Sequence, residues 1–143
     1  MTETIYRLEV KRPITLLESL LRYFVGNALI FLEGDLSHCE LKGIEVITNY
    51  QAKNSQSGER VILPVESSTL DYIIRQILPR AGIRKRIQSI KIEKNGKWVF
   101  ISYDWFDKGG VLITPEVGED FLNNLVKIKA IWKYKLVEIQ PNL

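Results

Sequence analysis

The clearest alternation of apolar and polar residues surrounds an Asn95-Gly96 pair in the second half of the chain. A two-residue Asn-Gly turn between two such runs is typical of a β-hairpin. Counting outward from the turn predicts the cross-strand pairs Lys94 with Lys97, Glu93 with Trp98, Ile92 with Val99, Lys91 with Phe100, and Ile90 with Ile101. Because side chains alternate between faces, the core face is predicted to consist of Ile90, Ile92, Val99 and Ile101. The other face then presents Lys91, Glu93, Trp98 and Phe100.

Three segments repeat apolar residues with the period of an amphipathic helix. The first begins at Pro13, because proline lacks a backbone N–H and the N–H groups of the first helical turn have no partner within the helix. Its apolar stripe is Leu16, Leu17, Leu20, Leu21 and Phe24. The second follows Ser67-Ser68, and its stripe is Leu70, Ile73, Ile74, Ile77 and Leu78. The third begins at Pro115 and turns inward Phe121, Leu122 and Leu125.

Further strands are predicted where the period is two or where a short apolar run is unbroken. They cover residues 4–10, 28–32, 36–48 (one strand or two), 60–65 and 126–139. In the last of these, one side carries Val126, Ile128, Ala130, Trp132, Tyr134 and Leu136, and the other carries Lys127, Lys129, Lys133 and Lys135. A continued helix competes with this interpretation, but the β-branched and aromatic content favours a strand.

The element order is therefore roughly β-α-β-β-β-α-β-β-α-β over residues 1–143. Most neighbouring strands are joined by short turns, which favours antiparallel pairing. We predict a single α+β domain, with a mostly antiparallel sheet and about three helices packed on it. The polar stretch at residues 51–59 is predicted to be an exposed, flexible loop.

The length of 143 residues and the hydrophobic content of 45% fit one domain with one core. No run approaches the roughly 20 apolar residues that a membrane span needs, and the first residues lack the order of a secretory signal. Cys39 is the only cysteine, which excludes an internal disulfide. We therefore expect a cytoplasmic protein with no membrane partner.

Charge is distributed unevenly, although the net charge is only +3. Residues 1–79 carry eight Lys/Arg and ten Asp/Glu, whereas residues 80–143 carry twelve and seven. A basic half fits a surface for nucleic acid or another polyanion. The simpler interpretation, which we prefer, is a solvated face that keeps the protein soluble.

The side-chain chemistry gives little support for an enzyme. His38 and Cys39 are the only histidine and cysteine, and as neighbours on a strand they point to opposite faces. The chain has no phosphate-binding loop motif, so we predict no catalytic residue, no metal site and no cofactor. One alternative stays open, because Glu40 and Lys42 on one face of a strand, with Asp35 nearby, would form a metal-dependent nuclease or hydrolase site.

A mixture of cationic and aromatic residues is the strongest functional signal. Aromatic rings stack on bases while cations hold phosphates, so this mixture suits single-stranded nucleic acid. Exposed aromatic residues near charge suit a protein interface equally well. The candidate binding residues are Arg84, Lys85, Arg86, Lys91, Trp98, Phe100, Lys127, Lys129, Lys133 and Lys135.

We predict first a small non-enzymatic binding or regulatory protein, of adaptor, immunity or antitoxin type, whose surface acts on another macromolecule, above all a protein. The alternative is a nucleic-acid-binding protein that uses the basic hairpin at residues 80–103 and the lysine-rich strand at 126–139. A metal-dependent nuclease or hydrolase comes third. The sequence leaves the oligomeric state open.

Overall fold

The structure, a computed structural model, describes residues 3–34, 59–81, 87–107 and 109–139. Its strands are β1 (Glu3–Val10), β2 (Ala28–Gly34), β3 (Glu59–Val65), β4 (Ile87–Lys94), β5 (Lys97–Ser102), β6 (Val111–Ile113) and β7 (Ile131–Ile139). They form one sheet in the order β3-β2-β4-β5-β6-β1-β7, and every neighbouring pair is antiparallel. The predicted α+β fold with a mostly antiparallel sheet is confirmed.

In the described ranges three helical segments accompany the sheet. The first helix, α1, spans Pro13–Phe24, and its predicted stripe from Leu16 to Phe24 is buried. The second, α2, covers residues 70–81 and contains a π-helical stretch at Ile73–Ile77. The third, α3, spans Gly118–Lys127 after a 3₁₀ turn, and it buries Leu122 and Leu125.

These helices share one hydrophobic core with a single face of the sheet. Every second residue of the central strands is buried, as shown by Tyr6 and Leu8 on β1 and by Ile30 and Leu32 on β2. The alternate residues form what we call the helix-free face, which none of the described helices covers. Its members include Ile5, Arg7, Glu9, Phe31, Glu33, Arg60, Lys91, Ile101, Leu112, Lys133 and Lys135.

The β4–β5 hairpin has the predicted turn. Asn95 and Gly96 both have positive φ, at 52° and 82°, as a type I′ turn requires. The two pairs nearest the turn are those expected, since Lys94 lies opposite Lys97 and Glu93 opposite Trp98.

Beyond those pairs a β-bulge makes the predicted register wrong. Val99 is an extra residue on β5, so Ile92 lies opposite Phe100, Lys91 opposite Ile101 and Ile90 opposite Ser102. A bulge of one residue exchanges the two faces of the strand that follows it. Phe100, predicted to lie exposed beside Lys91 and Trp98, is therefore in the core with 1% of its surface exposed.

The predicted strand at residues 126–139 is wrong in its first part. Helix α3 continues to Lys127, Lys129 adopts φ of 65°, and β7 begins only at Ile131. The backbone N–H of Ala130 donates to Leu125 O at 2.9 Å, which closes the helix end and turns the chain back toward β1. Lys127 and Lys129 thus lie in the last helical turn and the connection, outside the row formed by Lys133 and Lys135.

Two other predictions fall largely outside the described residues. These are the strand or strands at 36–48 and the loop at 51–59, of which only Glu59, at the start of β3, is described. Within the described ranges, no helix is long and apolar enough to cross a membrane.

The bulge at Val99 predicts that Phe100 contributes more than Ile101 to the free energy of unfolding. Phe100→Ala should lower the free energy of unfolding by about 3–5 kcal/mol, because it empties a packed site. Ile101→Ala is the matched control and should have less than half that effect, since Ile101 is only partly buried. Urea unfolding of both variants measures the difference. A larger loss for Ile101→Ala would mean that β5 is regular and that the bulge is absent.

Candidate functional site

The helix-free face carries a group of rings that we call the aromatic cluster, which consists of Phe31, Trp98 and Tyr103. Phe31 on β2 and Trp98 on β5 meet edge to face, with ring centroids 4.7 Å apart and planes at 60°. Trp98 remains 46% exposed and Tyr103, just after β5, 43% exposed. Large rings that are held by neighbours but still reach solvent are typical of binding surfaces.

Lys91 lies at the centre of the aromatic cluster. Its Nζ is 5.5 Å from the centroid of the Trp98 ring and 5.8 Å from that of Tyr103. Both distances are within the range of a cation–π interaction. One ammonium group thereby links two rings from different segments, and it stays accessible because neither ring is buried.

A cleft of about 190 Å³ adjoins the cluster, and its remaining wall is polar. Arg60 on β3 lies opposite Glu33 on β2 and donates from Nε to Oε2 at 2.8 Å, and from Nη2 to the same oxygen. This pair is about three-quarters buried, so its geometry is fixed more firmly than that of a surface ion pair. The cleft therefore combines exposed aromatic rings, the ammonium group of Lys91 and the Arg60–Glu33 ion pair.

The turn that follows Tyr103 is conformationally strained. Asp104, Trp105 and Phe106 all have positive φ, between 50° and 62°, and the left-handed conformation is unfavourable for side chains of this kind. Three hydrogen bonds hold it, from Trp105 N–H to Gln88 O at 3.0 Å, from Phe106 N–H to the buried hydroxyl of Ser102 at 3.1 Å, and from Asp107 N–H to Tyr103 O at 3.2 Å. The aromatic cluster is thus bordered by a fixed turn.

A second group lies at the outer edge of the sheet, and we call it the cationic edge: Arg7, Lys133 and Lys135. Arg7 on β1 is directly opposite Lys135 on β7, and Glu9 is opposite Lys133, with 3.6 Å between Lys133 Nζ and Glu9 Oε2. A cleft of about 210 Å³ lies among these side chains. The sequence pattern predicts the two lysines as binding residues but not Arg7.

Tyr134 fixes the strand that carries the cationic edge. Its hydroxyl donates to Asn123 Oδ1 on α3 at 2.6 Å, and its ring meets that of Tyr6 edge to face at 5.5 Å. Desolvation raises the pKa of the Tyr134 hydroxyl above the usual 10.0, and the charges of Glu119 and Tyr6 raise it further. The hydroxyl therefore remains protonated, and able to donate, throughout the neutral range.

The structure separates the candidate residues that the sequence grouped together. Lys91 and Trp98 meet in the aromatic cluster, while Lys133 and Lys135 lie on β7, which strands β6 and β1 separate from β5. At the usual strand spacing β7 is about 14 Å from β5. Phe100 is buried, and Lys127 and Lys129 lie beside neither group. Arg84, Lys85 and Arg86 lie outside the described residues.

The described ranges contain no group of three or more His, Cys, Asp and Glu residues that could hold a metal ion. The residues of the enzymatic alternative, Asp35, Glu40 and Lys42, lie outside those ranges, as do His38 and Cys39. Comparison of the chain with protein-family models, with curated proteins and with solved structures found no match. The aromatic cluster and the cationic edge are therefore the candidate binding surfaces among the described residues.

The contact between Lys91 and Trp98 predicts a measurable coupling. A double-mutant cycle of Lys91→Ala and Trp98→Ala, followed by urea unfolding, should give about 0.5–1 kcal/mol of interaction energy. The cycle of Lys97→Ala with Trp98→Ala is the control and should give none, because Lys97 lies beside Trp98 in sequence and points to the opposite face. Additive effects in the Lys91 cycle would contradict the cation–π contact.

Proposed function

We propose that this protein is a non-enzymatic binding protein that recognises another protein through the aromatic cluster. The observation that carries the proposal is the half-exposure of Trp98 and Tyr103 on a face that no described helix covers. Tryptophan and tyrosine contribute most of the binding energy in many protein interfaces. Phe31 and Lys91 already hold these rings in place, so a partner loses little affinity to side-chain ordering.

The cleft beside the rings favours recognition of a specific partner over nonspecific hydrophobic association. A partner that covers Trp98 also brings groups close to the Lys91 ammonium and to the Arg60–Glu33 pair. A carbonyl or carboxylate near Lys91 is favoured, whereas a cation there is repelled, so the polar wall discriminates between partners. An adaptor, immunity or antitoxin role is part of this proposal.

A cytoplasmic location is part of the same proposal. The chain has one cysteine and hence no internal disulfide, which is usual for proteins of reducing compartments. The metal-dependent nuclease stays a prediction of the sequence alone, because no described residue contributes to it.

The test is to capture the partner with the wild-type protein from the source cells, purify it and titrate it calorimetrically. Trp98→Ala should weaken binding by about 2 kcal/mol, or about 30-fold, because it removes the main ring of the surface. Tyr23→Ala is the matched control, since Tyr23 is equally exposed, at 48%, but lies on α1 on the other side of the sheet. Unchanged binding by Trp98→Ala, with a loss for Tyr23→Ala, would refute the proposal.

Nucleic-acid binding is the second candidate, and the position of Lys91 beside an exposed tryptophan favours it. A base stacking on Trp98 would bring its phosphate within reach of this ammonium. The charge of the helix-free face argues against binding of nucleic acid, because carboxylates and cations are nearly equal in number there. Its described residues include four carboxylates, Glu3, Glu9, Glu33 and Glu93, and five cations, Arg7, Arg60, Lys91, Lys133 and Lys135. A face so nearly balanced gives little general attraction to a polyanion.

Fluorescence anisotropy with a single-stranded oligonucleotide separates the two candidates. If the second is right, binding should fall at least about tenfold between roughly 50 and 200 mM salt. It should also be lost in the triple variant Arg84→Glu, Lys85→Glu, Arg86→Glu and weakened in Trp98→Ala. No binding at the lowest salt, or binding by the triple variant equal to that of wild type, would exclude it.

A further inference from the structure

Strand β7 is an edge of the sheet among the strands that the structure describes. Its nine residues pair with β1 on one side, and none of the described strands pairs with its other side. The outward N–H and C=O groups of an edge strand are available to an added strand. The edge is well exposed, as Trp132 is 58% and Leu136 52% accessible.

The two faces of β7 differ in chemistry. Toward the helix-free face it presents Lys133 and Lys135, with Arg7 directly behind Lys135 on β1. Glu9 is the only carboxylate opposite these cations in the β1–β7 register, and its partner Lys133 is 75% exposed, so their attraction is weak. Toward the helices β7 presents Tyr134, which packs against the core, and the exposed Leu136, followed by Glu138. Beyond Lys135 the helix-free face continues with Val137 and Ile139.

Like charges on directly opposite strands are unfavourable. Arg7 and Lys135 are such a pair, and no described acidic side chain bridges them. An anionic group placed on the outer side of Lys135 would relieve this repulsion. The charge pattern therefore favours an incoming strand that carries carboxylates on the face it shares with Lys133 and Lys135.

A second copy of this chain fits the edge poorly. Antiparallel self-pairing about a two-fold axis keeps equivalent faces together, so a register centred on Lys135 brings the two Lys135 ammonium groups face to face. A register centred on Leu136 leaves them diagonal neighbours, still within reach of each other. Lysines on edge strands are a common protection against such pairing.

We propose that β7 binds an extended segment of another protein by strand addition, and that this segment alternates acidic with apolar residues. Its carboxylates lie beside Lys133 and Lys135, with Arg7 one strand further away, while its apolar side chains cover Leu136 and Tyr134. Main-chain hydrogen bonds to the β7 edge give affinity, and the alternating side chains give specificity. This surface is distinct from the aromatic cluster, so the inference does not depend on the function proposed above.

The experiment uses the full chain and three labelled nine-residue peptides: one that alternates Glu with Val, one of the same composition in two blocks, and one with Lys in place of Glu. The alternating acidic peptide should bind in fluorescence anisotropy, and the block peptide should bind at least about tenfold more weakly, because only alternation puts all carboxylates on one face. The lysine peptide should not bind.

Charge reversal provides the matched variant. Lys133→Glu combined with Lys135→Glu should weaken binding of the acidic peptide by at least about tenfold and allow the lysine peptide to bind. Trp98→Ala should bind the acidic peptide as wild type does, which separates this inference from the proposed function. Circular dichroism confirms that each variant is folded. Bound peptide should also slow hydrogen exchange of the β7 amides.

Four outcomes would overturn the inference. They are absence of binding by the acidic peptide, equal binding by the block peptide, binding that leaves β7 amide exchange unchanged, and a concentration-dependent dimer that protects β7 without any peptide. Preferential binding of single-stranded DNA to the same edge, lost on the double charge reversal, would also refute it in favour of a polyanion site.

Discussion

Packing of the helices on one face of the sheet is the constraint on which the rest of this structure depends. The stripes of the three helices meet one face of the seven strands in a single core, and β-strand alternation then assigns every second side chain to the opposite face. Cationic and aromatic residues that alternate with Leu8, Ile30 and Ile92 are thereby gathered on that face. The aromatic cluster and the cationic edge are both consequences of this arrangement.

The described strands have three register shifts, one of them between Glu33 and Gly34. The other two give the arrangement its detail. The bulge at Val99 moves Phe100 into the core and leaves Trp98 beside Phe31 on the helix-free face. A second irregularity pairs Glu9 with Lys133 and Val10 with Ile131, which makes Trp132 the extra residue of β7. Lys11 Nζ covers this ring at 4.2 Å from its centroid. Bulges are common where a sheet re-aims a side chain, and here each lies next to an exposed tryptophan.

Local pattern was sufficient for the features that depend on neighbours in sequence. The stripe of α1 and the turn at Asn95-Gly96 follow from spacing and residue type alone. The register beyond the turn does not, because Val99, Phe100 and Ile101 are all apolar and fit either register until packing decides. The end of α3 was missed for a similar reason, since Val126 and Ile128 alternate with lysines and so resemble a strand. Arg7 joins Lys135 only because β1 lies between β6 and β7, and that placement is not encoded locally.

Hydroxyl-radical footprinting of the free protein, read residue by residue by mass spectrometry, tests this assignment of the two faces most directly. Rapid oxidation of Trp98, Tyr103 and Trp132 is expected in the native protein, with Phe100 protected until urea unfolds the chain. Oxidation of Phe100 in the native protein would contradict the bulged register, and protection of Trp98 would contradict the exposed surface on which the proposed binding depends.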